Sequence, residues 1–320
     1  MTTSARPSRP APVAVDRLVI EPTPDPRLAG ILEMIRNLPA AGKLDEKRRR
    51  VLGDVERDAD WLADNGYVTE WVDAGGVAAQ FIEPPGPQGD GMLVTFHGGG
   101  FVLCSAGTHA RRFAVAGGLA RCRVLNVEYR LAPEHPFPAG LLDAMAAARW
   151  AAERGPFVLA GDSAGGCLAL SAAVALRDEQ GSGSGAVPAG VVALSPWTDL
   201  TNAGGSRTMR LERDPFAHVD DLDGYASMYL GSALRTDPRA SPLYAELAGL
   251  PPVLIQVGSE ETAFDDAARF ADASAAAGVA TRLEGWTGMF HTWHTYVGRL
   301  KGADEATDAY AAWVSRRLRP

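Results

Sequence analysis

A chain of 320 residues, with 46% hydrophobic and 22% charged residues, has the composition of a globular protein able to bury one large core. Its net charge of −8 and pI near 5.3 argue against nucleic acid as the main partner, because a phosphate backbone calls for a basic face. No run of 18 apolar residues exists, so no segment reads as a membrane span.

In chain order, residues 1–26 contain Pro and Arg without an apolar stretch, and read as a disordered leader. Helix-like stretches follow over 27–38 and 45–64. The second carries Asp45, Glu46, Lys47, Arg48, Arg49 and Arg50, the pattern of a solvated helix face. Alternation over 67–73 and 77–83 around Ala74-Gly75-Gly76 predicts a hairpin. Short apolar strands at 93–96, 123–127, 157–160, 191–194, 253–257 and 281–284 then alternate with helical runs, and a last helix ends near Arg317. That alternation predicts an α/β fold with a mostly parallel sheet covered on both faces. Residues 181–185, Gly-Ser-Gly-Ser-Gly, are a short flexible connector. The segment from Trp197 to Pro251 is far longer than a strand-to-strand link needs. Cys104, Cys122 and Cys167 form an odd, unpatterned set in apolar surroundings, which reads as reduced core cysteines of a cytoplasmic protein.

Two motifs carry chemistry. Gly161-Asp162-Ser163-Ala164-Gly165 lies between the apolar run 157–160 and the Ala- and Leu-rich run 164–177. Strand, sharp turn and helix is the setting of a nucleophile elbow, in which flanking glycines avoid clashes and the serine hydroxyl stands exposed. His97-Gly98-Gly99-Gly100 follows the strand-like run 92–96. Glycines there let backbone N–H groups approach a ligand closely, as in the oxyanion loops that accompany such elbows. A phosphate loop is the alternative, but Phe101-Val102 stands where Lys-Ser/Thr would be needed.

These segments, with Tyr129-Arg130-Leu131-Ala132-Pro133-Glu134-His135-Pro136-Phe137-Pro138-Ala139 and Ser195-Pro196-Trp197-Thr198-Asp199-Leu200, resemble the bacterial hormone-sensitive-lipase family of α/β-hydrolase esterases over roughly residues 65–318. The resemblance implies an α/β-hydrolase fold: a mostly parallel eight-stranded sheet, helices on both faces and a helical cap. It implies a disordered leader and N-terminal cap helices over 1–65, core over 66–199, a cap insertion over 200–240, and core again over 241–320. Cap aromatics such as Phe216 and Tyr225, with Phe101 and Asp162 beside the two motifs, are then the expected substrate contacts. Packing of the cap's own core accounts for a larger share of its aromatics.

A serine hydroxyl needs a neutral imidazole to take its proton and a carboxylate to orient that imidazole. In this fold both follow the serine, which leaves His218, His291 and His294 of the six histidines. His291 matches the family's position, and His294 lies one helical turn on. The two could also suggest a metal site, but no further ligand stands at a matching spacing, so neither metal nor cofactor is expected. The acid follows the strand 253–257, where the family register falls on Glu261, with Glu260 as its rival. Asp265 and Asp266 fit the first turn of the next helix. The resemblance places the oxyanion donors at Gly99, Gly100 and Ala164. Arg130, Glu134 and Asp199 read as members of structural ion pairs, His97 as ordering the glycine loop, and Cys167 as inert. The implied activity is a serine carboxylesterase acting on short-to-medium acyl esters, with a small-molecule ester as partner, no nucleic acid, no membrane span and a possible homodimer. A lactonase, amidase, acyltransferase or lyase on the same scaffold, or a non-catalytic receptor, is the alternative.

Overall fold

The computed structural model describes residues 11–39, 42–180, 186–217 and 221–319. The first ten residues of the leader, the 181–185 connector and His218 lie outside the described residues.

The chain opens with strand β1 (Asp16–Ile20) and helices α1 (Arg27–Arg36), α2 (Leu44–Val51) and α3 (Val55–Asp64). The hairpin β2 (Val68–Asp73) and β3 (Ala78–Glu83) follows, then β4 (Met92–Phe96), α4 (Ala106–Ala120), β5 (Arg123–Val127), α5 (Ala139–Ala152), β6 (Phe157–Asp162) and α6 (Ala164–Gln180). After β7 (Gly190–Leu194) come the short helix α7 (Ser206–Met209) and α8 (Leu222–Leu230). The chain closes with β8 (Val253–Gly258), α9 (Phe264–Ala276), β9 (Thr281–Trp286) and α10 (Lys301–Leu318).

Nine strands form one sheet in the order β1-β9-β8-β7-β6-β4-β5-β3-β2. From β1 to β5 all neighbours are parallel, and only the β5–β3 and β3–β2 pairs are antiparallel. β4, β6, β7 and β8 are buried along their whole length, which suits their continuous apolar runs. Alternate residues feed two cores. Val94, Leu159, Val191 and Ile255 meet α5, α6 and α9, while Leu93, Val158, Val192 and Leu254 meet α3, α4 and α10. β4 is flanked by β5 on one side and β6 on the other, so the strand order reverses there. A crevice opens outside the carboxyl ends of the strands at such a point.

Three expectations are corrected. The sheet has nine strands, not eight, and the added one is β1, inside the stretch read as a disordered leader. β1 is almost fully exposed and has little apolar signal of its own; it is held by register with β9, from Asp16 opposite Arg282 to Ile20 opposite Trp286, and by a 2.6 Å Arg282–Asp16 ion pair. The stretch 45–64 is two helices broken by a 3₁₀ turn at Leu52–Asp54, where Gly53 lowers helix propensity. Its charged face is also not wholly solvated. Lys47 is buried, and Arg48 donates to the carbonyls of Val102 and Ala132 and pairs with Glu134.

Candidate active site

Ser163 sits in the turn between β6 and α6 with φ of 51°, a left-handed conformation that a serine holds only when its surroundings enforce it. Its N–H donates to the Leu194 carbonyl at 2.8 Å, and its carbonyl accepts from Cys167 and Trp197. The turn closes because Gly161 and Gly165 lack side chains. A Cβ on Gly161 would stand 2.2 Å from the Gly165 carbonyl oxygen, and one on Gly165 would stand 2.1 Å from that of Phe96.

His291 is carried by the loop after β9, between the fully buried Phe290 and Trp293. Its Nδ1 lies 2.9 Å from Glu261 Oε2 and its Nε2 lies 3.0 Å from Ser163 Oγ. A carboxylate can only accept, so Nδ1–H donates to Glu261 and Nε2 is left to accept the Ser163 hydroxyl. Glu261 Oε1 accepts from Ser195 Oγ at 2.6 Å and from the Gly258 N–H at 2.7 Å. Ser195 Oγ in turn accepts from the Thr292 N–H at 3.1 Å, so it bridges the acid to the backbone beside His291. Ser195 opens the Ser195–Leu200 motif, yet nothing in that motif points to a partner 66 residues away.

The structure brings Ser163, His291 and Glu261 into one hydrogen-bonded chain and turns the neighbouring candidates elsewhere. Glu260 faces outward, pairs with Arg213 and accepts from Ser259. His294 is buried and its Nε2 donates to Gln256 Oε1 at 2.9 Å. Burial, then the nearby Arg112 charge, push His294 down to about 3, so it is neutral. Asp265 and Asp266 do occupy the first turn of α9. Among the described residues no group of three or more His, Cys, Asp or Glu is arranged to hold a metal ion, and no helix is long and apolar enough to cross a membrane. Burial pushes the Cys122 thiol up to about 12 and Cys167 higher still, which suits inert core thiols.

The glycine loop after β4 approaches the same point. Gly99, Gly100 and Phe101 all have positive φ, at 106°, 62° and 65°. Ala164 is the first residue of α6, where the N–H has no intrahelical acceptor. His97 stacks on Tyr129 at 4.2 Å, and the Tyr129 hydroxyl donates to the His97 carbonyl. Burial, with the neighbouring His109, pushes His97 down to about 3.

A cavity of about 380 Å³ opens over Ser163 and His291, walled by Trp197, Arg207, Leu211, Phe216 and Leu222. Of the four residues expected to touch substrate, Phe216 lines it and three do not. Asp162 is buried beneath the loop, where it accepts from the Gly98 N–H at 3.1 Å and pairs with Arg112 at 2.6 Å. Burial pushes this carboxyl up, but Arg112 and His109 outweigh it and hold it well below the usual range. Phe101 is buried in a stack on Tyr229 with centroids 3.8 Å apart, and Tyr225 is buried against Gly100. Adjacency in a motif or segment could not show which way these side chains point. Trp197 and Arg207 went unrecognised as walls for the same reason. Of the expected structural ion pairs, Arg130 binds Asp143, Glu134 binds Arg48 and Asp199 binds Arg269.

A nucleophile elbow on a mostly parallel sheet, facing a glycine loop, defines the α/β-hydrolases. A family model described as alpha/beta hydrolase fold matches residues 93–295, and the chain belongs to that family. Within it the chain stands with the bacterial hormone-sensitive-lipase group. A solved esterase of that group is 37% identical, superposes with a TM-score of 0.85, and is covered over 100% of its length by 93% of this chain. An acetyl-hydrolase of Streptomyces hygroscopicus is 41% identical over 247 residues, 76% of this chain and 81% of that protein. The carboxylic ester hydrolase LipN of Mycobacterium tuberculosis is 35% identical over 260 residues, 76% of this chain and 69% of that protein.

Proposed function

We propose that the chain is a serine carboxylesterase working through Ser163, His291 and Glu261. The observation that carries the reading is the pair of hydrogen bonds running from Ser163 through His291 to the buried Glu261. The esterase and acetyl-hydrolase names of its relatives support the reaction class. Ser163 Oγ adds to the ester carbonyl carbon while its proton passes to His291 Nε2. The carbonyl π pair moves onto oxygen, where the N–H groups of Gly99, Gly100 and Ala164 hold it. Collapse breaks the C–O bond to the alcohol, which takes the proton back from His291. Water, deprotonated by the same imidazole, then adds to the acyl carbon; collapse breaks the C–O bond to Ser163, whose Oγ takes the proton back from His291, and the acid leaves. Glu261 fixes the Nδ1–H tautomer and stabilises the imidazolium.

Residues 200–240 and the helices before residue 65 act as the cap over this site. The cavity of about 380 Å³, with Trp197 and Phe216 in its walls, supports a preference for short-to-medium acyl chains. The test uses a fluorophosphonate probe and a p-nitrophenyl ester series. Ser163 is expected to be the labelled residue, and Ser163→Ala to lose about 10⁴-fold or more in kcat while remaining folded. Butyrate is expected to be cleaved far faster than palmitate. A folded Ser163→Ala protein with most of its activity overturns the assignment, and a preference for palmitate overturns the acyl range.

A further inference from the structure

The glycine loop is gripped by side chains that take no part in the reaction. α8 presents Tyr225 and Tyr229, one turn apart, onto consecutive loop residues. The Tyr225 ring lies so close to Gly100 that a Cβ there would stand 2.5 Å from its Cδ2 and 3.1 Å from its Cγ. Tyr229 stacks on Phe101 with an interplanar angle of 8°. From the other side, α2 presents Lys47 and Arg48. Lys47 Nζ donates to the Tyr225 hydroxyl at 2.8 Å and lies 4.9 Å from the centroid of its ring. Arg48 Nε donates to the Val102 carbonyl at 2.8 Å, and Nη2 to that of Ala132 at 2.9 Å. The Ala132 N–H in turn donates to the Phe101 carbonyl.

Lys47 is only 4% exposed and Tyr225 3%. Burying a lysine is costly unless its charge is well accommodated, so its placement here calls for an explanation beyond solubility. Gly100 and Phe101 supply one. Both are left-handed, and a bulky aromatic residue keeps such a conformation only where its surroundings hold it. Any rearrangement that turned the N–H groups of this loop away from Ser163 would remove them as oxyanion donors.

We propose that Lys47 and Tyr225 are positioning residues that hold the Gly99–Gly100 N–H groups in the direction a developing oxyanion requires. The proposal rests on the reading of those glycines as oxyanion donors. It makes the contact between the N-terminal helices and the 200–240 insertion part of the catalytic geometry. Substrate binding in the cavity is a separate matter, because neither residue lines it.

The experiment compares Lys47→Met and Tyr225→Phe with the parent enzyme. Its readouts are p-nitrophenyl butyrate kinetics, inhibition by an alkyl trifluoromethyl ketone and inhibition by butyrate. The ketone reports on the oxyanion site: Ser163 Oγ adds to its carbonyl carbon, the proton passes to His291, and the π pair becomes the bound oxyanion. Both variants are expected to lose about tenfold in kcat, a fraction of the loss on removing an oxyanion donor outright, with KM within about twofold. The ketone's inhibition constant should rise by the same factor as kcat falls, and that of butyrate should not change. Circular dichroism establishes folding; where Lys47→Met does not fold, Tyr225→Phe, which keeps the ring, carries the test. Unchanged kcat and ketone affinity overturn the proposal, as does a rise in KM with kcat retained. A parent enzyme that binds the ketone no better than butyrate removes the oxyanion reading itself, and this inference with it.

Discussion

Glu261 is fully buried, and its carboxylate accepts from three donors: His291 Nδ1, Ser195 Oγ and the Gly258 N–H. A buried carboxylate without such donors would be expensive, so the site is built to hold this one. Glu261→Gln keeps the shape but can turn its amide N–H₂ toward His291 and favour the wrong tautomer. A loss of about 10³- to 10⁴-fold in kcat is expected. Glu260→Gln touches only the Arg213 pair and the Ser259 hydroxyl, and is expected to cost less than about tenfold. Ser195→Ala leaves Oε1 with one donor and orphans the Thr292 N–H, for an expected loss of about tenfold. The kcat of all three at pH 8, with circular dichroism on each, checks the order. If Glu260→Gln is the inactive variant, the acid has been assigned one residue off. The family register alone selected Glu261, but the reason it faces His291 lies in contacts from Ser195 and Gly258. Single-residue direction was the poorly legible part of the site: Phe101 and Asp162 stand beside the two motifs in sequence and are both buried outside the cavity.

At the scale of elements, glycine marks where strand and helix approach most closely. Gly165, the second residue of α6, lies against the end of β4, and an added Cβ would meet the backbone carbonyls of Phe96 and His97 at 2.1 and 2.6 Å. Backbone cannot swing aside as a side chain can, so Gly165→Ala must shift the elbow relative to the glycine loop. A displacement near 1 Å suffices for about 100-fold in rate, and at least that loss is expected in p-nitrophenyl butyrate hydrolysis. Gly30 in α1 is the opposite case, exposed with nothing within 4 Å of its Cβ position. Gly30→Ala should stabilise by about 0.5 kcal/mol through helix propensity and a less flexible unfolded chain, read as a higher urea midpoint. An unchanged urea midpoint would show that α1 contributes nothing to the cooperative unit. Elements with a strong apolar period were legible, and β4, β6, β7 and β8 lie within a residue or two of where their runs predict. β1 was not, because its burial pattern is that of an exposed edge and its pairing partner lies more than 250 residues away. The α2–α3 break was hidden by a continuous charged pattern across Gly53.

Across the whole molecule, both faces of the sheet are closed and the carboxyl ends of the parallel strands converge on Ser163, Glu261 and His291, the arrangement that strand–helix alternation and two motifs together made legible. Closing that edge also traps imidazoles. His97 lies under the glycine loop and His294 beside Gln256, and both are pushed from 6.5 down to about 3, mainly by burial. A depressed histidine stays neutral in the folded protein while the unfolded chain takes up a proton. Its stabilising contribution is therefore fully present above pH 6.5 and is lost progressively as pH falls from 6.5 toward 3. Asp266, pushed up to about 6 mainly by burial, acts in the other direction. The folded protein takes up its proton first, so folding gains as pH drops below 6. Net acid sensitivity is thus a sum of opposing terms, and a variant isolates one of them. His294→Gln removes one titrating imidazole and keeps an N–H that can reach the Gln256 oxygen now bonded to Nε2. Between pH 6.5 and 5, parent stability should fall more steeply than that of His294→Gln, by about 1 kcal/mol per pH unit, the weight of one proton. Urea denaturation at pH 7, 6 and 5 measures both slopes, and every other titrating group cancels in their difference. Parallel slopes would mean that His294 takes up its proton in the folded protein as readily as in the unfolded one, which a fully buried imidazole beside Arg112 cannot do without opening the strand ends that hold His291.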